Sequence, residues 1–120
     1  MSHEETGVTP QDVDALFEKL RTLQEPKGYY FNKDTALAKG LIEQLIALRK
    51  SMGYAPCPCR LANGTREADN DIICPCVYRE EDVREYGVCF CGLYASKEWN
   101  EGSIPHTTVP ERRPPENILF

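Results

Sequence analysis

Apolar residues recur at helical spacing in two stretches of the first half of the chain. Val13, Leu16, Phe17, Leu20 and Leu23 follow one another in steps of three and four behind Thr9 and Pro10, residues suited to an N-cap and a first helical position. The pattern predicts an amphipathic helix to about Gln24. A loop with Pro26 and Gly28 leads through Tyr29, Tyr30 and Phe31 to Asn32 or Asp34 as the next cap, and Leu37, Leu41, Leu45 and Leu48 form a second stripe. That helix is expected to stop at Gly53, after Arg49 and Lys50 in its last turn. Both stripes read as core packing and carry no chemistry of their own.

Beyond Gly53 the periodicity breaks, and the segment to Leu93 is organised around cysteines, with a short polar helix expected from Glu80 to Tyr86, stopped by Gly87. From Ile104 onward, Pro105, Pro110, Pro114 and Pro115 rule out a long helix and predict an extended wrap. The expected fold class is mainly α, a small α+β arrangement of short helices and loops. One compact domain is expected over residues 1–120, with 1–8 as a mobile arm and 104–120 as a Pro-rich tail, because 120 residues supply one core and not two.

Charge narrows the function classes. A net charge of -5 argues against nucleic-acid binding, which needs a basic surface to neutralise phosphates. No apolar run approaches the roughly 20 residues that span a bilayer. The first residues, Met1 to Glu5, have neither the basic and apolar regions of a signal peptide nor the Arg-rich character of a transit peptide, so a cytoplasmic location is expected. Thiols stay reduced there, which turns six cysteines in a short chain toward metal binding or catalysis and away from a disulfide framework.

All six cysteines fall in three Cys-x-Cys pairs: Cys57-Pro58-Cys59, Cys74-Pro75-Cys76 and Cys89-Phe90-Cys91. Chance scatter would not give every cysteine the same spacing, so the pairs are expected to meet around something that takes sulfur. A 4Fe-4S cluster uses four thiolates and leaves two over. The two α-carbons of a Cys-x-Cys unit lie within ~7 Å even when extended, so a spare cysteine whose pair-mate is a ligand is tethered beside the metal. If the middle pair supplies two ligands and each outer pair one, the two spare sulfurs can face each other next to an electron source. Pro58 and Pro75 stiffen their pairs and disfavour a bridge within either. A structural zinc site also takes four thiolates, but its usual knuckle is Cys-x-x-Cys and two cysteines would have no task.

In these residues the chain resembles the catalytic subunit of ferredoxin:thioredoxin reductase, over about residues 10 to 96. The resemblance rests on Cys57-Pro58-Cys59-Arg60, Cys74-Pro75-Cys76-Val77 and Cys89-Phe90-Cys91 in that order, behind a Leu-rich helix ending in Gly53. It implies a domain folded around a 4Fe-4S cluster held by Cys57, Cys74, Cys76 and Cys89, with a redox-active disulfide between Cys59 and Cys91. It also implies ferredoxin as electron donor and a thioredoxin-like protein as acceptor. Members of the photosynthetic type pair with a small second subunit, which nothing in these residues requires here.

One position departs from the family pattern: the photosynthetic members carry His where this chain has Phe90. The acid-base role of that residue does not carry over, which suggests a non-photosynthetic branch. The two histidines, His3 and His106, both read as surface residues, and a proton role for His106 would require it within hydrogen-bond reach of the cysteines.

The chemistry explains why such an arrangement is needed. Ferredoxins deliver single electrons whereas a disulfide takes two, and the chain has no Gly-x-Gly-x-x-Gly fingerprint for a flavin domain. By the resemblance, Cys91 is the sulfur the cluster captures and Cys59 the nucleophile that is freed to attack the target. Arg60 either lowers the Cys59 pKa or lies as an ion-paired surface residue. An acidic donor would meet Arg60, Arg66, Arg79, Arg84 and Lys97, all close to the motif in sequence. The alternatives are a 4Fe-4S electron carrier without disulfide chemistry and a zinc-stabilised interaction module.

Overall fold

The computed structural model describes residues 7–119; His3 and most of the expected N-terminal arm lie outside them. Helix α1, Pro10–Gln24, opens on a reciprocal cap in which Asp12 N–H donates to Thr9 Oγ1 at 3.1 Å and Thr9 N–H donates to Asp12 Oδ2 at 3.0 Å. Its inner face carries Val13, Leu16, Phe17 and Leu20, while Leu23 is exposed and does not join the stripe. The chain then makes a 3-10 turn over Glu25–Lys27 and enters strand β1, Tyr30–Phe31.

Helix α2, Thr35–Met52, uses Asp34 as its cap, which accepts the Leu37 N–H at 3.1 Å. Asn32 takes a different task. Its Nδ2 donates to the Gly92 carbonyl at 2.9 Å and its backbone N–H to the Leu93 carbonyl at 2.9 Å, tying the start of α2 to the third cysteine pair. The buried face of α2 is Ala38, Leu41, Ile42 and Leu45, with Leu37 exposed and Leu48 at the margin. The leucine stripe read from the sequence is therefore rotated: a wide apolar face follows i, i+3, i+4, i+7, and Ala38 and Ile42 join Leu41 and Leu45 in the buried core. Gly53 ends the helix at φ 84°, its N–H bonding the Arg49 carbonyl.

Helix α3, Arg79–Tyr86, stops at Gly87 with φ 83°. Strand β2, Tyr94–Ala95, pairs antiparallel with β1 in the register Tyr30 to Ala95 and Phe31 to Tyr94, and a five-residue helix α4, Lys97–Glu101, follows behind a Ser96 cap. Neither the strand pair nor α4 has a clear sequence pattern, since two-residue strands are too short to show alternation. About half of the chain is helical around this small sheet, as expected for a mainly α, small α+β domain. Phe17, Phe31 and Tyr94 stack through the centre at 4.6 and 5.4 Å, and Cys89 belongs to the same buried cluster, so the core and the cysteine site share a wall. Among the described residues no helix is long and apolar enough to cross a membrane.

Candidate functional site

The three cysteine pairs lie on loops that the backbone ties together. Cys57 N–H donates to the Ile72 carbonyl at 2.7 Å and Cys74 N–H to the Ala55 carbonyl at 2.9 Å, so the first two pairs run side by side around a single bridge, Pro56 to Ile73. The third pair sits in a turn closed by Gly92 N–H to the Cys89 carbonyl at 2.9 Å and by Cys89 N–H to the Tyr94 carbonyl at 2.9 Å, directly before β2. One narrow cavity is lined by Cys57, Cys74, Cys76, Cys89 and Cys91, with Arg60, Arg79, Phe90 and Tyr94 completing its wall. Cys59 stands outside it as the exposed member of the six, its Sγ 3.9 Å from the Cys91 carbonyl.

All six cysteines are free thiols. Cys91 Sγ lies 3.7 Å from Cys89 Sγ, and Cys59 Sγ lies 3.9 Å from the Cys91 carbonyl. Hydrogen bonding toward the Cys57, Cys59 and Cys89 sulfurs, with burial, pushes the Cys91 thiol up. Its neighbours move the other way. The Cys91 hydrogen bond lowers Cys59 to about 7 against a burial penalty, and lowers Cys89 to about 6 with help from backbone N–H groups of Gly92, Leu93 and Tyr94. Cys57 is also lowered, chiefly by Cys91. Burial pushes up Cys74, and it raises Cys76 despite Arg60 beside it.

Two guanidinium groups flank these sulfurs. Arg60 Nη1 donates to Cys76 Sγ at 3.4 Å, and its Cζ lies 4.5 Å from the Phe90 ring centre. Arg79 lies against Tyr29 at 3.7 Å and Tyr94 at 4.8 Å, with Nη1 donating to Gln24 Oε1 at 2.8 Å. The reading of Arg60 as either a Cys59 partner or a surface ion pair resolves into a third arrangement. Its side chain is buried and ion-paired to Glu111, while its charge contributes the last of several influences on Cys59. Of the other cations expected to greet an acidic donor, Arg66 donates to the Gly53 carbonyl and Arg84 pairs with Glu81. His106 stacks on Trp99 at 3.7 Å with Nε2 2.9 Å from the Trp99 carbonyl, so its described partners are on α4 and not among the cysteines.

Among the described residues, no three His, Cys, Asp or Glu side chains form a group that could hold a metal ion. The donor chemistry of the cavity suits a cluster nonetheless. A four-iron cube spreads its ligands over four corners, and the four cysteines expected as ligands line one space. Their sulfurs accept N–H bonds of the kind that tune such clusters, from Tyr94 N–H to Cys89 Sγ at 3.3 Å and from Arg60 to Cys76.

Sequence reasoning missed Glu111. Nothing in its local pattern marks it, and only its long-range ion pair with Arg60 brings it to the site.

A small domain, about half helical, whose loops gather three Cys-x-Cys pairs at one cavity defines a cysteine-centred protein. The chain belongs to the family described as ferredoxin thioredoxin reductase catalytic beta chain, whose family model matches residues 8–112. That span includes all six cysteines, Arg60 and Glu111. No curated protein matches the chain. Membership supports a disulfide-reductase role.

Proposed function

We propose that the chain is an iron-sulfur disulfide reductase that takes single electrons from ferredoxin and reduces the disulfide of a thioredoxin-like protein through Cys59 and Cys91. The observation that carries this reading is the exposed Cys59 thiol, 3.9 Å from the Cys91 carbonyl, beside a cavity lined by Cys91 and the other four cysteines. Cys57, Cys74, Cys76 and Cys89 are the residues that would hold a 4Fe-4S cluster. When bound, it supplies electrons one at a time to the sulfurs beside it.

Cys59 as thiolate attacks one sulfur of the target disulfide; a Cys59–target S–S bond forms, the target bond breaks, and the second target sulfur leaves as thiolate. Cys91 then attacks Cys59, giving a Cys59–Cys91 disulfide and expelling the reduced target, with the Cys91 proton passing to a departing sulfur. Two electrons from ferredoxin, with two protons from solvent, return Cys59 and Cys91 to the dithiol. A plant-type ferredoxin near -400 mV and a thioredoxin near -270 mV make the overall direction downhill by about 6 kcal/mol for two electrons. Reducing cytoplasmic surroundings suit this cycle.

Anaerobic purification followed by iron and sulfide analysis, with Cys91→Ser and Cys59→Ser variants, tests the reading. Cys91→Ser is expected to accumulate a mixed disulfide between Cys59 and a thioredoxin-like protein, and Cys59→Ser to keep its iron while losing disulfide reduction. Native protein free of iron and sulfide, or normal turnover by Cys59→Ser, would sink it.

A further inference from the structure

Arg60 is enclosed on every side by groups from different parts of the chain. Its side chain is 2% exposed. On one edge, Nε donates to Glu111 Oε1 at 3.0 Å and Oε2 at 2.8 Å, and Nη2 donates to Oε1 at 2.8 Å. On the other edge, Nη1 donates to Cys76 Sγ at 3.4 Å. Phe90 lies 4.5 Å and Tyr78 5.3 Å from its Cζ. Glu111 is itself held by the Arg113 backbone N–H, which donates to Oε1 at 2.9 Å, and Arg113 is anchored to Asp71 Oδ2 at 3.0 Å and Oδ1 at 3.1 Å.

A buried guanidinium needs an opposite charge in good geometry, or it costs more to hold in place than to release to water along its flexible stem. The fork of Arg60 meets Glu111 through two nitrogens, and a planar group fixed along one edge has the direction of its remaining N–H groups fixed as well. The Cys76 contact is therefore a consequence of where the tail places one carboxylate. An N–H donor to a cluster-ligating sulfur raises reduction potential, because it stabilises the added negative charge of the reduced form.

We propose that Glu111 is a positioning residue: by clamping Arg60 it aims the guanidinium at Cys76 Sγ, so that the C-terminal tail sets the reduction potential of the group held there. This rests on the cluster reading above for the identity of that group. Glu111 acts through Arg60 and touches no cysteine itself.

The sign of one measurement separates this role from a direct charge effect. Removing a carboxylate near a redox centre raises its potential through loss of negative charge; releasing Arg60 from Cys76 lowers it. Midpoint potentials of the iron-loaded chain are therefore measured for the native protein, Glu111→Gln, Arg60→Gln and the double variant. The expected result is a lower potential for Glu111→Gln, a fall of similar size for Arg60→Gln, and no further fall in the double variant. A raised or unchanged potential in Glu111→Gln, or a double variant equal to the sum of the two, overturns the proposal.

Should Glu111→Gln not fold, Glu111→Asp, which keeps the charge but retracts it by one methylene, is expected to give a smaller fall, and an unchanged or raised potential there overturns it equally. Urea unfolding of the same variants needs no iron: the second substitution is expected to add little to the first, and simple additivity counts against the clamp. Native chain lacking iron and sulfide would fail the cluster reading, while the urea cycle would still decide whether Glu111 fixes Arg60, so the two fail separately.

Discussion

Cys59 is exposed while the other five cysteines are buried or half-buried, and its acidity comes chiefly from the hydrogen bond of Cys91. A thiol brought from its ordinary value of 9.0 to about 7 is half thiolate near neutral pH, and only the thiolate attacks a disulfide or an alkylating reagent. In the reduced chain freed of metal, Cys59 is therefore expected to be the first cysteine alkylated, with a rate that rises with pH through a midpoint near 7. Cys91→Ser removes the largest cause of the shift and is expected to move that midpoint up toward 9. Labelling followed by mass spectrometry across pH 5–10 reads both; a native midpoint near 9 would show that Cys91 does not acidify Cys59. At the same scale Phe90 supports Arg60, whose Cζ lies 4.5 Å from the ring centre.

The helix ends show how local rules and tertiary contacts divide the work. Gly87 closes α3 at φ 83°, and a Cβ there would also collide with Ile104 Cδ1 and stand 3.0 Å from Trp99 Cδ1. Gly87→Ala meets both backbone strain and overpacking, and is expected to cost about 1–3 kcal/mol. Gly40, inside α2, has nothing within 4 Å of such a Cβ, so Gly40→Ala is expected to stabilise by about 0.5–1 kcal/mol through helix propensity. Urea midpoints at constant slope check the pair, and equal effects of the two substitutions would refute the contrast. The ends of α2 and α3 at Gly53 and Gly87 were legible because glycine stops are local. The inner face of α2 was not, since which of two neighbouring stripes turns inward depends on where α1 lies.

Over the whole molecule the tail ties the cysteine loops together. Arg112 bonds Asp82 Oδ1 at 2.8 Å and Glu85, while Arg113, 1% exposed, bonds Asp71 and stands 3.4 Å from the fully buried Asp69 Oδ1. Burial pushes the Asp69 and Asp71 carboxyls up, but Tyr54 and backbone N–H groups at Asp69, Tyr78 and Asn117 at Asp71, and Arg113 at both outweigh it and hold them below the ordinary value. Groups with depressed folded pKa values add stability above their unfolded pKa of about 3.9, and that contribution is lost as pH falls through the lower folded values. Arg113→Ala leaves these carboxylates without their cation and is expected to cost about 3 kcal/mol at pH 7, with a smaller loss at pH 3, below their ordinary value, where this contribution is fading. Unfolding curves at the two pH values test this; a loss independent of pH would assign the role of Arg113 to packing alone.

The order and spacing of the cysteine pairs, the caps of α1 and α2 and the proline-broken tail were determined by the sequence itself, because each is a local property of residue type and neighbour. The tertiary structure alone decided that Arg60 turns inward to Cys76, that Glu111 meets it from 51 residues away, and that Cys59 stands exposed beside Cys91. These depend on which loops meet in space, and ion pairs between distant segments leave no periodic trace along the chain.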